Sequence, residues 1–375
     1  MDNMFSKLLT PCHIIDINTL KKNISILYEI KQSTGCKLLF ANKGFSNTFF
    51  YRFFDGFVDG ISASGYYEAK LAKENYSGQV HTFSPSYTIQ EFSCIEKYSD
   101  VIIFNSINQL QTMMSKKSKT HAGIGLRINP EYSEQIDYRI DPCHPYSRFG
   151  VHREELTNTI INTIDGLHLH TMCEQYADTL KNTLEITKKK YGDVLNQVRW
   201  LNIGGGQLYT ASGYNLLSAI NTINSIKNAF GIDVYIEPCE AFMHNTGIFV
   251  SKIVDIVNNG ISSVILDSSA ICHLPDIIHS PYRCEIANAS VAFKKKYTYR
   301  ICGCSCYAGD IYGDYSFDNR LRIGDYLVFQ DTAAYSMVKN NMFNGIRLPY
   351  IYEQDSDGSL KLVKSYGYDV YYSFI

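Results

Sequence analysis

The chain has 375 residues, 45% of them hydrophobic and 13% aromatic, with a formal net charge of −2. That length exceeds one compact core and predicts a large domain with a smaller companion. The charge balance, with no basic cluster beyond Lys294-Lys295-Lys296, excludes a nucleic-acid partner. Eleven cysteines, an odd number scattered through apolar stretches, read as reduced buried thiols rather than a disulfide framework. With no signal-like N-terminus and no apolar run of spanning length, the expectation is a cytoplasmic protein with no membrane segment.

In chain order, Leu20, Ile24, Leu27 and Ile30 recur at helical spacing and predict an amphipathic helix. Apolar runs then recur at 36–43, 59–63, 80–84, 101–105, 123–129, 166–171, 198–203 and 234–238, each short enough for a buried strand. Helices between them open with capping boxes, Thr88 with Glu91 and Ser106 with Gln109, where a hydroxyl accepts from the N–H three residues on. Strands alternating with helices imply a parallel sheet, and this number of β/α units most often closes as a barrel. The predicted fold is therefore α/β, a (β/α)8 TIM-like barrel over residues 12–262, with a doubly wound open sheet as the alternative. Beyond about residue 262 the runs 264–267, 299–303 and 325–329 lie amid Gly, Asp, Tyr and Pro and predict a β-rich domain over 263–375, which residues 1–11 would join.

Unusual residues fall at the C-terminal ends of the predicted barrel strands, where barrels build their sites. Lys43 ends the first apolar run; burial there lowers an amine's pKa and leaves it able to form a Schiff base, although a lysine can also snorkel or pair with a carboxylate. Gly204-Gly205-Gly206 after the seventh run lets backbone N–H groups approach a phosphate, or is a flexible turn. His168 and His170 share a strand face; a metal pair needs further ligands that are not found, which leaves one imidazole to stack on a flat cofactor, or two structural histidines. Glu237 before a proline could keep a pyridine nitrogen protonated, or pair with Arg127. Cys302, Cys304 and Cys306 alternate on one strand and cannot surround a tetrahedral ion without large distortion, so no metal is expected. A single thiol, Cys306, as proton donor is more economical, with Asp310 and Asp314 nearby for a cationic substrate. Together these are the parts of a pyridoxal phosphate site.

Ala41-Asn42-Lys43, Ser147-Arg148-Phe149-Gly150, Gly166-Leu167-His168-Leu169-His170-Thr171-Met172-Cys173-Glu174, Asn202-Ile203-Gly204-Gly205-Gly206, Ile236-Glu237-Pro238, Cys272-His273-Leu274-Pro275-Asp276, Cys306-Tyr307-Ala308-Gly309-Asp310 and Ala334-Tyr335-Ser336 follow one another along nearly the whole chain. In this order they resemble the carboxynorspermidine/carboxyspermidine decarboxylases, which are alanine racemase-like, fold type III pyridoxal phosphate enzymes. The resemblance implies decarboxylation of a polyamine carboxylate in polyamine biosynthesis, with Lys43 as the Schiff-base lysine, Glu237 at the ring nitrogen and His170 stacked on the ring. It places Gly204, Gly205, Gly206, Cys173 and Tyr335 around the phosphate. Cys306 and Asp310 would reach the partner subunit's site in a homodimer with shared active sites. Glu240 stands where the ornithine and diaminopimelate enzymes usually carry arginine. The substrate's ammonium groups would meet Glu174, Glu240, Asp276, Asp310 and Asp314.

The sequence departs from the family pattern at Asn42, at Cys239 in place of a glycine, and at Gly303-Cys304-Ser305-Cys306. Three rivals remain: another decarboxylase of the same fold, a racemase, which Glu237 disfavours, and a cofactor-binding regulatory protein without turnover, which Cys239 keeps open.

Overall fold

The computed structural model describes residues 5–116, 122–279 and 282–375. The chain divides into two compact units, 22–242 and 1–21 with 243–375. Among the described residues no helix is long and apolar enough to cross a membrane.

In the first unit eight parallel strands close into a barrel. They are Lys37–Ala41, Gly60–Ala63, Gln79–Phe83, Val101–Phe104, Gly123–Arg127, Gly166–His168, Trp200–Asn202 and Asp233–Ile236, one for each of the eight apolar runs. The eighth strand pairs with the first through Tyr235 to Lys37 and Ile236 to Leu38. Both predicted caps form: the Thr88 hydroxyl accepts from Glu91 N and that of Ser106 from Gln109 N. The helix Ile17–Thr34 buries all four periodic residues, Leu20, Ile24, Leu27 and Ile30.

Alternate residues of a strand face the barrel interior, and this decides what fills it. Leu39, Val101, Ile103, Trp200 and Tyr235 cluster there with Phe83. Trp200 needs space that only glycine supplies, since a Cβ on Gly166 would lie 2.0 Å from its ring and one on Gly125 2.6 Å. The same alternation carries Leu39 to Lys43, Tyr235 to Glu237 and Trp200 to Asn202. An apolar plug thus closes the barrel below its polar C-terminal rim.

The second unit is built on a nine-stranded mixed sheet. Its organising element is the 13-residue strand Gly247–Asn259, which pairs with Cys12–Asp16, Ile261–Leu266 and Tyr326–Phe329. The reading of the sequence assigned residues 12–16 and 247–259 to the barrel domain; the structure puts both strands in this sheet, because their hydrogen-bonding partners are strands of the second unit. Phe249, Ile253, Val264, Leu266, Ile301, Tyr312, Tyr315 and Phe329 form its main core.

Candidate active site

Lys43, His170 and Glu237 converge at the barrel rim. Lys43 Nζ lies 3.2 Å from His170 Nε2, and the hydrogen bonds fix which atom carries the proton. Gly205 N–H donates to His170 Nδ1 at 3.3 Å, so Nδ1 offers its lone pair and the ring proton sits on Nε2. That proton points at Lys43, whose amine can accept it when unprotonated. The electrostatics agree: burial, and after it Arg127, pull the Lys43 pKa down against the attraction of Glu237. Burial, Lys43 and Arg127 likewise hold His170 well below the usual imidazole value.

Glu237 has the opposite character. Burial alone would raise its pKa, but His168, Lys43 and the Asn202 amide outweigh it and keep the carboxylate ionised. Asn202 Nδ2 donates to Glu237 Oε1 at 2.7 Å while Asn202 Oδ1 accepts from Gly204 N at 2.8 Å, so one side chain ties the carboxylate to the glycine loop. His168 Nε2 stands 3.8 Å from Glu237, and burial lowers its pKa against the pull of that carboxylate. The alternative of a Glu237–Arg127 pair gives way to another arrangement. Arg127 donates through Nη2 to the His170 carbonyl at 2.8 Å and its guanidinium lies 4.7 Å and 4.3 Å from the Phe83 and Phe149 ring centres.

The three glycines are not a flexible turn. A Cβ at Gly204, Gly205 or Gly206 would come within 2.5, 2.3 and 2.0 Å of the carbonyl oxygens of Leu169, Glu237 and Met172. Gly204 and Gly206 also have φ of +70° and +86°, which disfavour any side chain. The N–H groups of Gly204 and Gly205 are engaged by Asn202 and His170, which narrows the backbone donors expected for a phosphate. Cys173 abuts this loop, its backbone N 2.9 Å from where a Gly206 Cβ would stand, and Glu174 is exposed with φ of +51°. Cys239 and half-buried Glu240 begin the helix Cys239–Met243, and burial raises the Cys239 thiol.

The remaining predicted residues lie in the sheet unit. Asp310 is buried, and its Oδ1 accepts from Ala270 N at 2.7 Å and Ile271 N at 3.3 Å while Oδ2 accepts from Ser305 N at 3.0 Å. Its carboxylate therefore binds backbone, in place of the substrate ammonium expected from the sequence. It fixes the turn that presents exposed Cys306, whose N–H donates to Asn344 Oδ1 at 2.8 Å. Asp276 meets Lys339 through both oxygens at 2.7 and 2.6 Å, and Asp314 grips Arg300 at 2.8 and 3.0 Å. Tyr335 has φ of +56°, with Lys339 Nζ 5.1 Å from its ring centre.

Sequence reasoning gave no role to Asn202, Glu68 or Tyr51. Asn202 was legible in principle, since it shares the interior parity of Trp200. Glu68 lies on the helix Tyr66–Asn75, where its spacing carries no signal. Its carboxylate accepts from Ser64 N at 2.7 Å, and burial raises its pKa with Lys43 opposing.

The donor set fits pyridoxal phosphate. An amine with a lowered pKa is what an aldehyde requires, and an ionised buried carboxylate is what a protonated pyridine nitrogen requires.

The sequence and the fold both have known relatives. The family model "Pyridoxal-dependent decarboxylase, C-terminal sheet domain" matches residues 26–333. The carboxynorspermidine/carboxyspermidine decarboxylase of Campylobacter jejuni is 36% identical over 98% of this chain and 98% of its own. The carboxyaminopropylagmatine decarboxylase of Synechocystis is 34% identical over 98% and 95%. The crystal structure of carboxynorspermidine decarboxylase from Campylobacter jejuni, complexed with norspermidine, superposes with a TM-score of 0.91 at 34% identity, covering 98% of this chain and 100% of that one. Diaminopimelate decarboxylase from Helicobacter pylori, with a TM-score of 0.79 at 15% identity over 96% and 95%, shares the fold.

Proposed function

The chain belongs to the pyridoxal-dependent decarboxylases, and from that premise we propose that it decarboxylates carboxynorspermidine or carboxyspermidine to the triamine and carbon dioxide in polyamine biosynthesis. The observation that carries the reaction class is the convergence of Lys43, its pKa lowered, with His170 and ionised Glu237 on one barrel rim. The near full-length similarity to the Campylobacter jejuni enzyme supports the substrate.

Lys43 would hold the cofactor through its amine. His170, held by Gly205 at one nitrogen, presents a flat ring beside that amine. Glu237 would favour a protonated ring nitrogen on the cofactor, and Asn202 keeps the carboxylate aimed. When bound, pyridoxal phosphate supplies the electron sink for the pair released as the substrate carboxylate leaves as carbon dioxide. The carbon that loses the carboxylate must gain one proton, and Cys306 is the donor in this reading. Gly204 to Gly206, Cys173 and Tyr335 are the residues that would hold the phosphate. Glu174 and Glu240 are the carboxylates for the substrate's ammonium groups, while Asp310 holds the Cys306 turn and Asp276 and Asp314 keep their pairs with Lys339 and Arg300. The reading includes a cytoplasmic homodimer that completes each site with Cys306 of the other subunit; mixing Lys43→Ala with Cys306→Ala protein should then restore part of the activity.

The Synechocystis relative favours a second reading, in which the substrate ends in a guanidinium. A panel of carboxynorspermidine, carboxyspermidine, carboxyaminopropylagmatine, diaminopimelate and ornithine separates the cases by kcat/KM. The first two should lead; a lead for carboxyaminopropylagmatine selects the second reading. Cofactor binding without turnover of any of them selects the regulatory one.

A further inference from the structure

Asn42 precedes Lys43, and strand alternation turns its side chain away from the barrel interior. It is fully buried, as is nearly all of Tyr51. The Tyr51 hydroxyl donates to Asn42 Oδ1 at 2.6 Å, the Asn42 amide reaches the Glu68 carbonyl at 3.5 Å, and Asn42 N–H donates to the Ser62 carbonyl at 2.9 Å. The surroundings are aromatic: the Tyr51 ring lies 6.5, 6.3 and 6.1 Å from Phe40, Phe54 and Tyr76.

An amide in such a shell is a poor choice for stability. Its net gain from one good hydrogen bond is small, and replacing both partners by apolar groups of similar shape is nearly neutral. A buried polar pair instead fixes one geometry among several that an apolar core would tolerate. What it fixes here is the peptide carrying Lys43, which lies past the last ladder residue, Ala41, where a strand end would otherwise be free to shift. The three anchors tie that peptide to the neighbouring barrel strand, to the 3-10 turn Thr48–Phe53 and to the helix Tyr66–Asn75.

We infer that the Asn42–Tyr51 pair is a positioning device that holds the Lys43 amine in line with His170 for reaction with the cofactor aldehyde. The inference rests on the reading that Lys43 carries the cofactor. A reacting group displaced by about 1 Å loses on the order of 100-fold in rate, far more than the hydrogen bond contributes to folding.

The test is the rate at which cofactor-free protein captures pyridoxal 5'-phosphate, followed by the visible band and by borohydride reduction with peptide mapping, across pH. It uses Asn42→Leu, Tyr51→Phe and the double variant, with thermal melting as a check on folding and the kcat to KM split of the loaded enzyme as a second readout. Each single variant should slow capture about 10- to 100-fold with an unchanged pH midpoint, and lower kcat more than it raises KM. The double variant, which leaves no buried group unpaired and should melt like the wild type, should be no slower than the slower single one. Capture at wild-type speed in the folded double variant, or single effects that multiply in it, would overturn the inference. A moved pH midpoint would do the same, because it would mean that the pair sets the amine's pKa rather than its place. Lys43→Ala separates the two readings: capture persisting there would overturn the functional reading along with this one.

Discussion

The barrel rim and the sheet unit treat their ionisable groups in opposite ways. At the rim, Lys43 and His170 are half-buried and Glu237 is buried, and desolvation and mutual charge push the amine down and hold the acid ionised. In the sheet unit each candidate carboxylate has a dedicated partner: Lys339 for Asp276, Arg300 for Asp314, and backbone N–H groups for Asp310. Perturbed groups at a strand end mark chemistry, whereas satisfied ones mark architecture. Under the proposed function the reaction belongs to the first set and positioning to part of the second.

The hardest test of the contrast is Lys43→Ala. Removing this amine should cost at least ~1000-fold in kcat and abolish borohydride trapping of the cofactor while leaving the melting curve near that of the wild type. A large fall in stability with trapping intact would reverse the assignment. Next is Glu237→Gln, which keeps the shape and the Asn202 hydrogen bond but removes the charge. A drop of about 100-fold in kcat with KM little changed is expected from steady-state kinetics.

Asp310→Asn should behave the other way. An amide nitrogen would face backbone N–H donors, so a buried donor loses its acceptor at a cost of about 1 to 3 kcal/mol, read by urea unfolding. Activity should fall through displacement of the 303–306 turn, and iodoacetamide labelling of Cys306 should change in parallel.

These contrasts were only partly legible in the sequence. All eight barrel strands were visible because buried parallel strands are continuous apolar runs, and the caps at Thr88 and Ser106 follow from local chemistry. Residues 247–259 were read as barrel because partner choice is not local: Gly247–Asn259 gets its identity from strands at 12–16 and 326–329. The Asn259-Gly260 pair, with Gly260 at φ +76°, is a hairpin signal that could have corrected this. The meeting of Lys43, His170 and Glu237 at the rim was legible since strand ends are. Asp310 was misjudged because a carboxylate in a sequence looks the same whether it binds a cation or the ends of its own backbone.

Acid should erode both units alike. His81 at the barrel interior and His13 and His273 in the sheet unit are fully buried, and burial lowers them from 6.5 to about 4, 3 and 4. Their folded values lie below the unfolded one, so the unfolded chain binds more protons below pH 6.5. Stability is complete above that value and is lost as pH falls towards 4. Each should cost about 2 kcal/mol at pH 5, and a His81→Gln variant should show a shallower decline between pH 7 and 5 in urea titrations.

The smallest effect is expected at Asp314, and it decides how far the contrast extends. Its pair with Arg300 is partly open to solvent, with side-chain exposures of 34% and 42%, so breaking it should cost no more than about 1 kcal/mol. As an architectural residue, Asp314→Asn would leave kcat/KM for the triamine carboxylates within about 3-fold of wild type. As a substrate carboxylate, released from Arg300 when the substrate's ammonium arrives, it would raise KM by ten-fold or more at an unchanged melting temperature, since a cation loses its counter-charge. The effect should then shrink with added salt, which screens exposed charges far more than buried ones. A KM effect that salt leaves untouched would mean the carboxylate is enclosed when it acts, and would move Asp314 from the architectural set to the chemical one.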